Sequence, residues 1–228
     1  MQPDPKPGLL LARRSSCANC RTTLRWNDLL PVASALLLKG RCRYCQYAFG
    51  YRYAVVELVS GLSVMVTILA LGLNPASALI SGFCICLIML AVIDQQTGYL
   101  PDTLTIGGLW AGLLASLGGG IATPKTAILG AAAGYGVFWL LNHAYCRFKG
   151  EEGIGQGDFK FLAMIGAWLG ITALPMVLAI GAGAGAVWHY GQRLVGLSND
   201  DRVVPFGPWL ALGALATLAM TLAPRWLA

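Results

Sequence analysis

The chain is poor in charge. Asp, Glu, Lys and Arg make up 11% of its 228 residues, against 57% hydrophobic residues and a mean hydropathy of +0.65. That balance argues against a water-soluble domain and for lipid as the solvent. Histidine is scarce: His143 and His189 are the two present, neither stands in a ligand pattern, and both are expected to be ordinary residues. The opening stretch, MQPDPKPGLLLARRSS, has only three leucines before its paired arginines. A signal-peptide core needs roughly 7 to 15 apolar residues, so no cleavage for export is expected. The net charge of +6 does not point to nucleic acid, because the basic residues are spread through an apolar chain rather than gathered on a polar face. No nucleic-acid partner is expected.

What the sequence does hold falls into two parts. Residues 1–53 carry most of the basic charge and four of the seven cysteines, and residues 54–228 are almost continuously apolar, which puts a boundary near Arg52. A membrane-crossing helix needs about 20 mostly apolar residues. Such runs occur at 54–73, 76–93, 103–121, 125–146, 159–173, 174–192 and 206–224. Asn74-Pro75, Thr97-Gly98, Gly118–Gly120 with Pro124, the KGEEGIGQGD loop, Pro175 and the polar SNDDR segment punctuate them.

Alternation of sides then puts 1–53, 94–102, 147–158 and 193–205 on one face, and 13 of the 16 Lys and Arg residues fall there. By the positive-inside rule that face is cytoplasmic. The fold class expected is an all-α integral membrane protein: a polytopic helix bundle of about seven spans in membrane lipid, with a small N-terminal cytoplasmic four-cysteine domain. Small residues in GAAAGYG from Gly130 and GAGAGA from Gly181 read as packing seams that let helices approach closely; they permit oligomers without requiring them.

The cysteines do not form a secreted disulfide pattern. Cys17-Ala-Asn-Cys20 and, 21 residues on, Cys42-Arg-Tyr-Cys45 are two thiolate pairs suited to a closed tetrahedral zinc site. A domain of about 50 residues buries little core, and zinc–ligand bonds supply folding energy where burial does not. Four cysteines leave no open position for catalysis, and the flanking residues offer no thioredoxin-like βαβ pattern. Structural zinc on Cys17, Cys20, Cys42 and Cys45 is expected.

The acids form the second constellation, because a carboxylate near hydrocarbon is costly and usually functional. Asp4, Asp28, Glu151, Glu152, Asp200 and Asp201 lie in segments read as hydrated, which leaves Glu57, Asp94, Asp102 and Asp158. Asp94 ends the second run and Asp158 opens the fifth, so the two can face one cavity at the membrane surface as an aspartyl dyad. Gly155 and Gly157 would let a substrate backbone approach and let the loop take a positive φ. The plainer alternative for Asp158 is an N-cap of its helix. Asp102, which can start the third helix, and Glu57, which can pair with Arg52, read as structural or substrate-positioning. Lys160 can snorkel or pair with an acid.

With the paired cysteines, RYAVVELVSG, AVIDQQTGYLPDTLT and GQGDFKFLAMIGAWLG in this order, the sequence resembles the bacterial type IV prepilin peptidases, members of the GxGD membrane aspartyl proteases. The resemblance covers most of the chain. It implies cleavage of the basic leader from type IV prepilins or type II secretion pseudopilins at the bacterial inner membrane, with Asp94 and Asp158 as the catalytic residues. It also implies methylation of the new N terminus from S-adenosylmethionine, associated with the cytoplasmic region, and zinc on the four cysteines. That family normally carries a first membrane helix before the zinc domain. It is missing from residues 1–16, so seven spans stand for eight. Two other readings stand beside the protease. One is a proton- or cation-coupled transporter, weakened by the helix-end position of the acids and the lack of an internal repeat. The other is an inactive assembly scaffold.

Overall fold

A computed structural model describes residues 15–17, 19–29, 34, 37–48, 50–150, 153, 155–196 and 205–223. The leucines at 9–11, Asp4, Glu151, Glu152, the SNDDR segment and Arg225 lie outside the described residues. The chain folds as two compact units, residues 1–61 and 62–228.

The first unit is built on two turns of the same design, one around each cysteine pair. In the first, Ser16 and Thr23 form an antiparallel bridge, Cys17 N–H donates to Thr22 C=O at 3.0 Å and Arg21 N–H to Cys17 C=O at 2.9 Å. In the second, Arg41 bridges Ala48, Cys42 N–H donates to Tyr47 C=O at 2.8 Å and Gln46 N–H to Cys42 C=O at 3.0 Å. Arg21 and Gln46 both adopt φ of 57°, a left-handed conformation rare outside glycine. In each turn the residue in this conformation directly follows the second cysteine of the pair. Between the turns, a short 3-10 helix spans Trp26–Leu29.

Seven α-helices follow among the described residues: α1 (Arg52–Leu71), α2 (Pro75–Thr97), α3 (Asp102–Leu117), α4 (Pro124–Lys149), α5 (Gln156–Leu169), α6 (Leu174–Leu194) and α7 (Gly207–Leu222). They match the seven apolar runs, with ends displaced by no more than about four residues. Local chemistry sets the boundaries. At the start of α2, Asn74 Oδ1 accepts the Ser77 N–H at 2.8 Å while Ser77 Oγ accepts the Asn74 N–H at 3.2 Å, a capping box with Pro75 in the first turn. At the start of α4, Thr123 Oγ1 accepts the Thr126 N–H at 3.4 Å, again with a proline, Pro124, in the first turn.

Length separates the helices. α1, α2, α4 and α6 are long and apolar enough to cross a membrane. α3, α5 and α7, with 16, 14 and 16 residues, rise only about 21–24 Å against a hydrocarbon core of about 30 Å. The expected bundle of about seven spans is present as seven helices among the described residues, four of them long and three short. The run at 159–173 is cut at Gly170, whose φ of 82° and ψ of 167° end α5 before a 3-10 turn at Ile171–Ala173. The run at 103–121 is cut at Gly118–Gly120, where Gly119 takes φ of 82°. Hydropathy does not register either break.

The short α5 is the core of the second unit. Phe159 and every residue from Phe161 to Leu169 are buried, as expected for a helix apolar all round, and it packs chiefly against α4 and α3. Trp168 stacks on Phe83 of α2 at 4.7 Å between centroids, and its Nε1 donates to Gly108 C=O of α3 at 2.8 Å. The seam reading holds for Gly130, Gly134 and Gly181. Gly130 and Gly166 bring the backbones of α4 and α5 together, Gly134 lies against the Leu162 carbonyl, and Gly181 against that of Trp209 in α7. Gly183 faces open space. On the outer side, Leu69, Trp110, Leu114, Leu140 and Val187 are among many exposed large apolar residues, an exterior suited to lipid rather than water.

Candidate active site

Asp94 sits inside the last turn of α2, which continues to Thr97 before Gly98 closes it with φ of 64°. Its side chain is buried, at 6% exposure. Oδ2 accepts the backbone N–H of Gly207, the first residue of α7, at 2.9 Å. The added Cβ of any other residue at 207 would press on that oxygen, 2.6 Å away. Sequence reading missed Gly207: it stands beside Pro208 at a helix start, and nothing in that pattern announces a partner on α2.

Asp158 is half-buried in the third position of α5. The N-cap is Gly155, and no side chain caps the helix, so Asp158 does not serve as the N-cap. The positive φ expected of the loop glycines is absent as well. Gly155 has φ of −66° and Gly157 is helical. What Gly157 provides is room for Leu100, whose Cβ would lie 3.0 Å from a Cβ at that position.

Asp94 and Asp158 line one cavity of about 330 Å³, together with Tyr99, Leu100, Gln156 and the glycines. Asp102 and Lys160 complete the lining. Asp102 is the first residue of α3, as expected, and both its oxygens accept from Lys160 Nζ, at 2.7 and 2.8 Å. Lys160 is thus ion-paired. Glu57 does not belong to this cavity and lies exposed on α1. His143 stacks on Trp139 at 5.3 Å, an ordinary packing role for a helical i, i+4 pair.

In the first unit the sulfurs of Cys17, Cys20, Cys42 and Cys45 all lie within 4.8 Å of one another. Cys17 and Cys45 are 3.8 Å apart, and Cys20 and Cys42 4.0 Å. A tetrahedral metal with sulfur at about 2.3 Å sets its ligands about 3.8 Å apart, so the four can bind a metal ion. Asn19 Nδ2 donates to Cys45 Sγ at 3.7 Å. Hydrogen bonds from the Thr22 side chain and backbone lower the Cys20 thiol to about 6, and backbone N–H groups of Cys45 and Tyr44 lower that of Cys42. Asp28, read as hydrated, has a side chain only 3% exposed; its Oδ1 accepts from Arg43 Nε at 2.8 Å, binding the second turn to the 3-10 helix.

Comparison with known proteins settles the family. The type IV leader peptidase family model matches residues 81–190, and the bacterial Peptidase A24 N-terminal domain matches residues 3–71. The chain is 42% identical over 209 residues to a prepilin leader peptidase/N-methyltransferase of Burkholderia pseudomallei, covering 92% of this chain and 68% of that protein. The chain belongs to the type IV leader peptidase family. It is similarly related to the prepilin leader peptidase/N-methyltransferases of Aeromonas salmonicida, 40% identical over 95% of this chain and 75% of the relative, and Aeromonas hydrophila, 41% identical over 98% and 77%. No solved structure matches the chain. Four long apolar helices and this leader peptidase family membership make it a multi-pass inner-membrane protein. Neither the transporter nor the scaffold alternative finds support among the relatives.

Proposed function

We propose that the chain cuts the leader peptide from type IV prepilins or type II secretion pseudopilins, with Asp94 and Asp158 as an aspartyl dyad, and then methylates the new N terminus using S-adenosylmethionine. The observation that carries the protease reading is the meeting of a buried α2 carboxylate and an α5 carboxylate in one cavity. The relatives' name carries both activities.

Two carboxylates at close quarters do not both ionise cheaply, so the pair holds one proton between them and titrates as a unit. The charged member removes a proton from water as it attacks the peptide carbonyl, and the protonated member donates to the carbonyl oxygen. The tetrahedral species then collapses, the C–N bond breaks, and the leaving amine takes a proton from the dyad. The Gly207 N–H occupies Oδ2 of Asp94 and leaves Oδ1 for water. Substrate enters beside Gly155, which is exposed.

Residues 1–53 act as the cytoplasmic zinc domain and 54–228 as the membrane protease domain. Zinc suits the all-thiolate donor set, and the positive-inside rule supports a cytoplasmic location for both the zinc domain and the dyad. The test is co-expression with a prepilin-like substrate, comparing wild type, Asp94→Asn and Asp158→Asn, and reading substrate mass. Leader loss in the wild type and in neither variant is expected, with zinc content and membrane insertion unchanged; retained cleavage in both single variants would sink the dyad.

A further inference from the structure

Two helix starts govern the dyad. The first turn of α5 carries Asp158, and the first residue of α7, Gly207, donates its N–H to Asp94 at 2.9 Å. Neither start is closed by the side chain of its own N-cap residue, Gly155 in α5 and Phe206 in α7. Helix ends without such a cap fray, so the place of each start is left to packing. Each start sets a phenylalanine beside the residue that matters: Phe159 follows Asp158, and Phe206 precedes Gly207. Both rings meet a third, Phe138 of α4. Its centroid lies 6.4 Å from that of Phe159, with 62° between the ring planes, and 6.0 Å from that of Phe206, with 59°. These are the spacings of favourable aromatic pairs. Tyr135, one turn earlier on α4, meets Phe159 edge-on at 5.8 Å.

The buried face of α4 explains how one ring comes to stand there. It consists of Ala127, Gly130, Gly134 and Phe138, a succession at helical spacing that stays on one side. The first three are small, and the two glycines set α4 directly on the backbone of α5 at Gly166 and Leu162. The fourth is large. The glycine seam therefore holds the α4 backbone against α5, and the Phe138 ring, one turn beyond the seam, reaches the starts of both α5 and α7. Phe138 is buried and does not line the dyad cavity, so it has no part in the chemistry itself.

We propose that Phe138 is a positioning residue for leader cleavage, fixing the spacing of Asp94 and Asp158 by holding Phe206 and Phe159 on one buried ring. This role rests on the dyad proposed above and gives its geometry a source. Asp94 is reached through Phe206 and the Gly207 N–H, and Asp158 through the backbone it shares with Phe159. A densely packed interior transmits displacement because its side chains have little room to yield. The spacing matters chemically: two carboxylates share one proton over a pH range that is wider the closer they stand. A misplacement of about 1 Å caused far from the reacting atoms slows a reaction by up to about 100-fold. Besides the dyad, the ionisable side chains lining the cavity are Tyr99, Asp102 and Lys160, and the substitutions at the rings leave all of them in place.

The experiment is steady-state cleavage of a prepilin-like substrate by the full chain in detergent, followed across pH and expressed per folded molecule. It compares wild type, Phe138→Leu, Phe206→Leu, the double variant and Phe83→Leu. Phe83 is a buried ring stacked on Trp168 and outside the cavity lining, and so controls for the loss of a core ring as such. Phe138→Leu is expected to lower kcat about tenfold or more while KM stays within about twofold. It also narrows the pH–rate profile, whose two limbs report the first and second protons of the pair. Phe206→Leu acts in the same direction, and the double variant is no slower than Phe138→Leu, because the two residues work through one contact. Phe83→Leu melts lower but keeps kcat and the width of the profile. Wild-type kcat and profile width in Phe138→Leu overturn the role, as does a fall in kcat that Phe83→Leu reproduces. Should Phe138→Leu not fold, Phe206→Leu, at a half-buried position, carries the same test with the same outcomes. Asp94→Asn and Asp158→Asn, run alongside, separate this role from the dyad. Two inactive Asn variants beside an unaltered Phe138→Leu overturn the positioning alone, whereas cleavage by both Asn variants overturns the dyad and the positioning with it.

Discussion

Lys160 Nζ donates to both carboxylate oxygens of Asp102, at 2.7 and 2.8 Å, and so ties the first turn of α5 to the first turn of α3. The two side chains are 30% and 50% exposed, so breaking the pair costs about 1 kcal/mol of stability or less. Its effect on chemistry is larger, because the turn it holds carries Asp158. We expect Lys160→Met to melt close to wild type yet cleave about tenfold or more slowly, a barrier increase of about 1.4 kcal/mol. Lys160→Arg, which retains a two-pronged donor, recovers most of the rate. Wild-type cleavage by Lys160→Met would show the pair to be ornamental.

Gly207 offers a second handle on the dyad. A Cβ at this position meets Asp94 Oδ2 at 2.6 Å, so Gly207→Ala must move either the start of α7 or the carboxylate. We expect it to lose most leader cleavage while Gly136→Ala, at a helical position with open space around it, keeps full activity. Matched activity assays on the two variants decide the point, and equal rates would mean that the Gly207 N–H does not set the geometry of Asp94.

Much of this architecture was legible in the sequence, and the exceptions have physical reasons. Hydropathy located all seven helices because every one buries apolar surface in protein or lipid. It overestimated α3 and α5, since Gly119 and Gly170 end them by backbone conformation, which hydropathy does not register. The cysteine spacing announced a closed four-sulfur cluster, and the sulfur separations fit one. Asp94 and Asp158 stood out because unexplained acids in an apolar chain are few. The Gly207 N–H on Asp94 stayed hidden because a backbone donor carries no side-chain signature and the contact joins residues far apart in the chain. Asp28 was misread for a related reason: its polar neighbourhood suggested water, and only the fold shows Arg43 closing over it.

The α4–α5 seam makes a stability prediction. Gly130 and Gly166 approach so closely that a Cβ on either would collide with the other's backbone, where no flexible side chain can yield. Overpacking of this kind costs about 1–3 kcal/mol. We expect Gly130→Ala to lower the melting temperature in detergent clearly, while Gly136→Ala, further along the same helix with open space around it, is neutral or gains up to about 1 kcal/mol from helix propensity. Equal melting of the two variants would mean that the helices do not meet at this seam.

Metal binding by the first unit carries a proton count that can be measured. Four unperturbed thiols would release close to four protons when a metal binds at neutral pH, because each must be ionised to ligate. Hydrogen bonding from Thr22 has already lowered the Cys20 thiol to about 6, so in the apo state this sulfur is mostly ionised at pH 7 and has little proton to give. Cys42 is lowered as well. The sign follows: at pH 7 zinc uptake releases fewer than four protons, and the number rises as pH falls through about 6, where Cys20 holds its proton until the metal displaces it. Calorimetric titration of the apo chain with zinc in two buffers of different ionisation enthalpy reads this number directly. Release of four protons at pH 7 would mean that the turn around Cys17 and Cys20 forms only once the metal is bound, and that the Thr22 hydrogen bonds follow ligation rather than prepare it.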